Sequence, residues 1–203
     1  MNGRDYAATS TTLRVERWDA EQTRRAARAG RLSRASFAGL KPYLTTRDVN
    51  CNMLVQGGWA ALLGGIAGTP ITTLFGAANG RIGIGTATTA PAWTDTYLTA
   101  DTGSASTTSW YQLVDSAPVV VTSSSPATLE LTATFGPDDA NFAWNEFGAD
   151  NGSASGACLN GLPGGYVLIN HGTSAQGTKT SGETWVATAT IYCGVAAGDG
   201  TVA

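Results

Sequence analysis

Leu129-Glu130-Leu131-Thr132-Ala133-Thr134-Phe135-Gly136-Pro137-Asp138-Asp139-Ala140-Asn141-Phe142-Ala143-Trp144-Asn145-Glu146-Phe147 decides the fold class. Leu129, Leu131, Ala133 and Phe135 alternate with Glu130, Thr132 and Thr134, the period of a strand with one apolar and one polar face. Gly136 to Asp139 are turn residues and stop the run. Beyond them, Phe142, Trp144 and Glu146 fall on one face of a second strand, and Ala143, Asn145 and Phe147 on the other. The expectation is a hairpin-like unit with its aromatic side chains buried and the remaining strands layered around it.

The same grammar recurs on either side. Arg81–Gly85 places Ile82 and Ile84 inward with glycines between them, and glycine inside a strand marks close backbone approach. Trp110–Val114, Pro118–Thr122, Gly165–Asn170 and Thr184–Tyr192 read as further strands. Residues 86–108, 148–164 and 172–182 read as loops, with Trp93 and Tyr97 as anchors in the first. Trp59, Leu62, Leu63 and Ile66 are spaced as one helical stripe and predict a short core helix. Strands at this spacing without intervening helices predict a mainly β protein, an antiparallel β-sandwich or jelly roll. No apolar run approaches the roughly 20 residues of a membrane-spanning helix, and the N-terminus lacks a signal-peptide layout.

The first 50 residues differ from the rest. They carry a net charge of +5, whereas residues 51–203 carry −8. Leu13–Trp18 alternates apolar and charged residues, as an edge or arm strand would. Asp19 is placed to cap a helix over Glu21–Ala29, Gly30 to stop it, and Pro42 to keep residues 31–50 extended. The reading is a basic N-terminal arm, 1–50, joined to a β-sandwich body, 51–203. Arg14, Arg17, Trp18, Arg24, Arg25, Arg28, Arg31 and Arg34 are its partner-binding residues, and a solvated helix face is the plainer alternative.

Catalytic signals are sparse. His171 is the only histidine, which rules out a multi-histidine metal site within the chain. A Ser-His-Asp arrangement would need His171 as base and Ser174 or Ser181 as nucleophile, without any nucleophile elbow; a histidine beside a glycine turn more often bonds within a loop. Asp138, Asp139 and Glu146 could serve glycoside hydrolysis or calcium binding. Pro-Asp-Asp more often caps a turn, and Glu146 satisfies donors within the sheet. Gly177-Thr178-Lys179 lacks the context of a phosphate loop, so Lys179 reads as a loop-tip charge. Cys51, Cys158 and Cys193 match no zinc spacing, and Cys158 and Cys193 could pair if their strands were neighbours. No enzyme activity, metal or cofactor is expected.

Ile82-Gly83-Ile84-Gly85, Ala133-Thr134-Phe135-Gly136, Ala140-Asn141-Phe142-Ala143-Trp144-Asn145-Glu146 and Gly177-Thr178-Lys179-x-x-Gly182-x-x-Trp185 occur in this order. Together they resemble a group of tailed-bacteriophage virion structural proteins, with Val15–Trp18 and Asn52–Leu54 matching that group's entry segments. The resemblance implies a virion component assembled in the host cytoplasm. A capsid decoration (cement) protein bound to the head through its arm is the leading expectation, and a tail fibre or adhesin module binding host glycans is the alternative. The implied partners are the major capsid protein or another virion protein, and further copies of the chain, as trimers by analogy. A membrane or nucleic acid is not among them.

Overall fold

In a computed structural model, two antiparallel sheets pack face to face. The structure describes residues 10–28, 30, 32–48, 52–68, 75–76, 78–101, 108–122, 127–152, 155–157 and 167–193. The strands are β1 (Ser10–Trp18), β2 (Leu44–Asp48), β3 (Asn52–Leu54), β4 (Arg81–Gly85), β5 (Ser109–Leu113), β6 (Val119–Val121), β7 (Ala127–Phe135), β8 (Ala143–Asp150), β9 (Gly156–Ala157), β10 (Leu168–Thr178) and β11 (Thr184–Cys193). One sheet has the order β2-β1-β11-β7-β6 and the other β3-β10-β8-β4-β5-β9. The expected mainly β sandwich is what the chain forms. Its core lies between the sheets and includes Leu13, Val15, Ile82, Ile84, Leu131, Phe135, Trp144, Phe147 and Trp185.

The opening stretch does not form a hairpin. β7 pairs with β11 and β6, whereas β8 pairs with β10 and β4. Gly136–Phe142 is therefore a corner that carries the chain from one sheet to the other. Ala140 sits there at φ 51°, alone among the described non-glycine residues in having a positive φ. The indole Nε1 of Trp144 donates to its carbonyl at 3.0 Å, and the amide of Phe142 to the same carbonyl at 2.9 Å. Lys179 is no loop tip. It is buried, and its Nζ donates to the Gly136 carbonyl at 2.7 Å and to Asn141 Oδ1 at 2.8 Å. Desolvation lowers its pKa from 10.5 to about 8, against the pull of Asp139, Glu183 and Asp138. β10 runs on to Thr178 through a bulge, so most of the expected 172–182 loop is strand.

The N-terminal segment is built into the sandwich. β1 lies between β2 and β11, paired along its whole length to β11, with Leu13 and Val15 in the core. It is thus an inner strand rather than an edge. Residue 50 does not divide the sheets, because β1 and β2 before it share a sheet with β11, β7 and β6 after it. Asp19 caps α1 (Ala20–Ala27) in a capping box with Gln22, as its sequence suggests, and Gly30 leaves the helix at φ 116°. The connection to β2 is not wholly extended, since Arg34–Phe37 makes a 3-10 turn.

α2 (Gln56–Ile66) packs through an unexpected face. Gly58 and Ala61 are buried, whereas Leu63 and Ile66 are 58% and 84% exposed. The reason is steric. A Cβ at Gly58 would run into the Ile169 carbonyl, so the helix backbone touches β10 directly; Leu63 and Ile66 turn outward, while Trp59 stays packed against the core. Among the described residues no helix is long and apolar enough to cross a membrane.

Candidate partner-binding surface

Two layers cover the sandwich from outside, and each gathers charged residues. Over the β1–β11 sheet, α1 and the 3-10 turn pack Ala26 and Phe37 onto Trp18 and Val186. The Trp18 and Phe37 rings lie 4.4 Å apart. This packing consumes two of the expected partner-binding residues. Trp18 is fully buried, and Arg17 points into the interior, with its guanidinium 4.1 Å from the Trp185 ring centroid and Nη2 donating to the Gln176 carbonyl. Burial lowers the Arg17 pKa, outweighing the attraction of Tyr43 and Glu183.

The other members stay on the surface. Arg24, Arg25 and Arg28 are exposed along α1, and Arg14 and Arg34 are partly exposed beside it. Arg31 lies outside the described residues. Glu16, itself buried, accepts from Arg14 Nη2 at 2.6 Å and from Arg34 Nη2 at 3.1 Å. Arg47, absent from the expected set, is exposed on β2 directly opposite Arg14. Only the strand register places it there.

The acids of the body are divided between interior and surface. Asp101, Glu146 and Asp150 are buried. Asp115 accepts from the amides of Arg34 and Thr134, and Asp139 from that of Gly136, the expected turn cap. Asp150 clamps Arg81 through two bonds of 2.6 and 2.7 Å, with Arg81 stacked 4.8 Å from the Tyr111 ring centroid. Three acids of the body are thus buried, while Glu130 and Asp138 face solvent, as do the arginines of α1.

The second layer, residues 86–101, lies on the outer face of the β8–β4–β5 sheet. Gly83 and Gly148 make room for Leu98, and Gly85 for Ala100 and Glu146; a Cβ at Gly83 would come within 2.9 Å of Leu98. Glu146 accepts from the amides of Thr99 at 2.5 Å and Ala100 at 3.0 Å. His171 is buried beneath this layer in β10, not in a loop. Its Nδ1 faces Asp95 Oδ2 at 2.6 Å and its Nε2 faces Glu146 Oε1 at 2.7 Å. Burial disfavours the imidazolium, but the bonds and charges of Glu146 and Asp95 outweigh it and raise the pKa. Both ring nitrogens are committed to carboxylates, so neither Ser174 nor Ser181 is activated by His171, and Glu146 is not grouped with Asp138 or Asp139. Trp93 and Tyr97, expected as anchors, are 47% and 43% exposed; Leu98 and Ala100 are the buried ones.

The Cys158–Cys193 pairing lies outside what is described, since Cys158 is not among the described residues. No group of three His, Cys, Asp or Glu side chains among those residues is arranged to hold a metal ion. No known protein family, no curated protein and no solved structure matches this chain.

Proposed function

We propose that this chain is a non-enzymatic virion protein of a tailed bacteriophage, a head decoration protein that docks its basic outer layer on acidic protein surface. The motifs quoted above supply the virion reading. The observation that carries the docking mode is α1: it folds onto the sandwich with Arg24, Arg25 and Arg28 all facing solvent on one short helix and its cap. Exposed arginines of one sign steer and orient an acidic partner, and repetition over a symmetric shell multiplies a weak contact. The test is sedimentation with purified heads. Arg24→Glu, Arg25→Glu and Arg28→Glu together should abolish co-sedimentation while circular dichroism stays unchanged. Undiminished binding would overturn the docking mode, and a copy number of a dozen or fewer per virion would overturn the head position.

Trp93 and Tyr97 favour a second reading, a tail adhesin module. Two exposed aromatic side chains on one clamped segment offer apolar faces to a sugar ring. Glycan-array binding lost in Trp93→Ala would support it over decoration.

A further inference from the structure

Beyond α1, the outer face of the five-stranded sheet is open. It forms a polar groove of about 720 Å³ bounded by Arg14, Arg34 and Arg47 on one side and Glu130 on the other. Its floor is threonine. Thr12 stands opposite Thr190, and Thr188 opposite Thr132, their hydroxyls 3.2 Å apart. Arg47 and Arg14 occupy directly opposed positions on β2 and β1. Like charges so placed repel across the strand pair. Glu16 does not resolve this, because its one carboxylate is shared between Arg14 and Arg34. Arg47 makes no salt bridge among the described residues.

We propose that this groove is a binding site for an extended acidic segment of a partner protein, with an Asp or Glu carboxylate seated between Arg14 and Arg47. A carboxylate there accepts from two guanidiniums and removes their repulsion. The backbone of the segment lies over the threonine hydroxyls, which both donate and accept. A nucleic acid fits less well: binding one depends on many phosphate contacts, whereas Glu16 and Glu130 leave the groove only one net positive charge. The proposal rests on the reading of the basic outer layer as the docking side, and it gives that layer's partner a chemistry.

The probe is tetraglutamate, with tetraglutamine, polygalacturonate and sodium sulfate as comparisons, titrated into the full-length protein by NMR. Tetraglutamate should shift the amides of β1, β2 and β11 saturably, and tetraglutamine should not. Arg47→Gln should weaken tetraglutamate at least tenfold and, without peptide, leave the melting temperature equal or higher because the repulsion is gone. Equal binding of tetraglutamine, tighter binding of polygalacturonate or sulfate than of tetraglutamate, or an Arg47→Gln protein that binds normally would each overturn the site. Head co-sedimentation separates the two proposals. If the triple α1 charge reversal abolishes it and Arg47→Gln leaves it intact, the groove fails and the docking side stands. If neither variant changes it, the docking side fails.

Discussion

His171 sits between Asp95 and Glu146 with no exposed surface, and its bond to Asp95 ties residues 86–101 to the sheet beside the Thr99 and Ala100 amide bonds to Glu146. Deleting it strands Glu146 as a buried carboxylate held only by two backbone amides. Breaking a buried pair by removing one partner costs about 3 kcal/mol or more. His171→Ala should lose that much in urea unfolding, and limited proteolysis should then cut within 86–101. The pH dependence has a defined sign. The folded-state pKa is raised above 6.5, so the stabilisation is complete below the unfolded value and is lost as pH rises through the folded one. Wild type minus His171→Ala stability should shrink with rising pH from neutrality upward. A difference that grows from about pH 5 to 6.5 and is flat above neutrality would show the imidazole to be neutral in the folded protein.

At the scale of elements, two close approaches hold the layers in place. The first is the corner from β7 to β8, which Lys179 ties to β10. Lys179→Ala removes both bonds of the ammonium and leaves the Gly136 carbonyl short of a donor, a loss of about 1–3 kcal/mol by denaturant unfolding. Lys179→Met keeps the apolar stem and should lose a similar amount, which separates the ammonium's bonds from packing. The second is α2 against β10. Gly58→Ala drives a methyl into the Ile169 carbonyl, so helix and strand must separate. Overpacking of this kind costs about 1–3 kcal/mol, and Trp59 fluorescence should report the shift. Three of the four quoted motifs meet in this region: Trp144 packs edge-to-face on Trp185 at 4.8 Å and on Phe135 at 4.7 Å. Ala140–Phe142 thus belong to the corner and Ala143–Glu146 to β8, where Glu146 meets His171 of the neighbouring β10.

For the molecule as a whole, the N-terminal segment is the decisive piece. An arm would be dispensable for folding, but β1 separates β2 from β11 and puts Leu13, Val15 and Trp18 at or near zero exposure. Deleting residues 1–35 should leave a chain without a cooperative thermal transition by circular dichroism, and a sharp transition in the truncated protein would restore the arm. Charge reversal on α1 therefore probes partner binding more cleanly than truncation.

Sequence alone determined the mainly β class, most strand positions, the Asp19 cap, the turn role of Asp139 and the inward Ile82 and Ile84. Each of these depends on neighbours within a few residues, where alternation, capping and turn chemistry act. Only the tertiary structure decided which strands pair. It made β7 and β8 members of different sheets, put β1 inside one of them, turned α2 onto its glycine face, and buried His171 and Lys179 among partners up to 76 residues away. It also set Arg47 against Arg14. Those outcomes depend on contacts between distant segments, where a glycine's missing Cβ or a carboxylate's position on another strand outweighs local pattern.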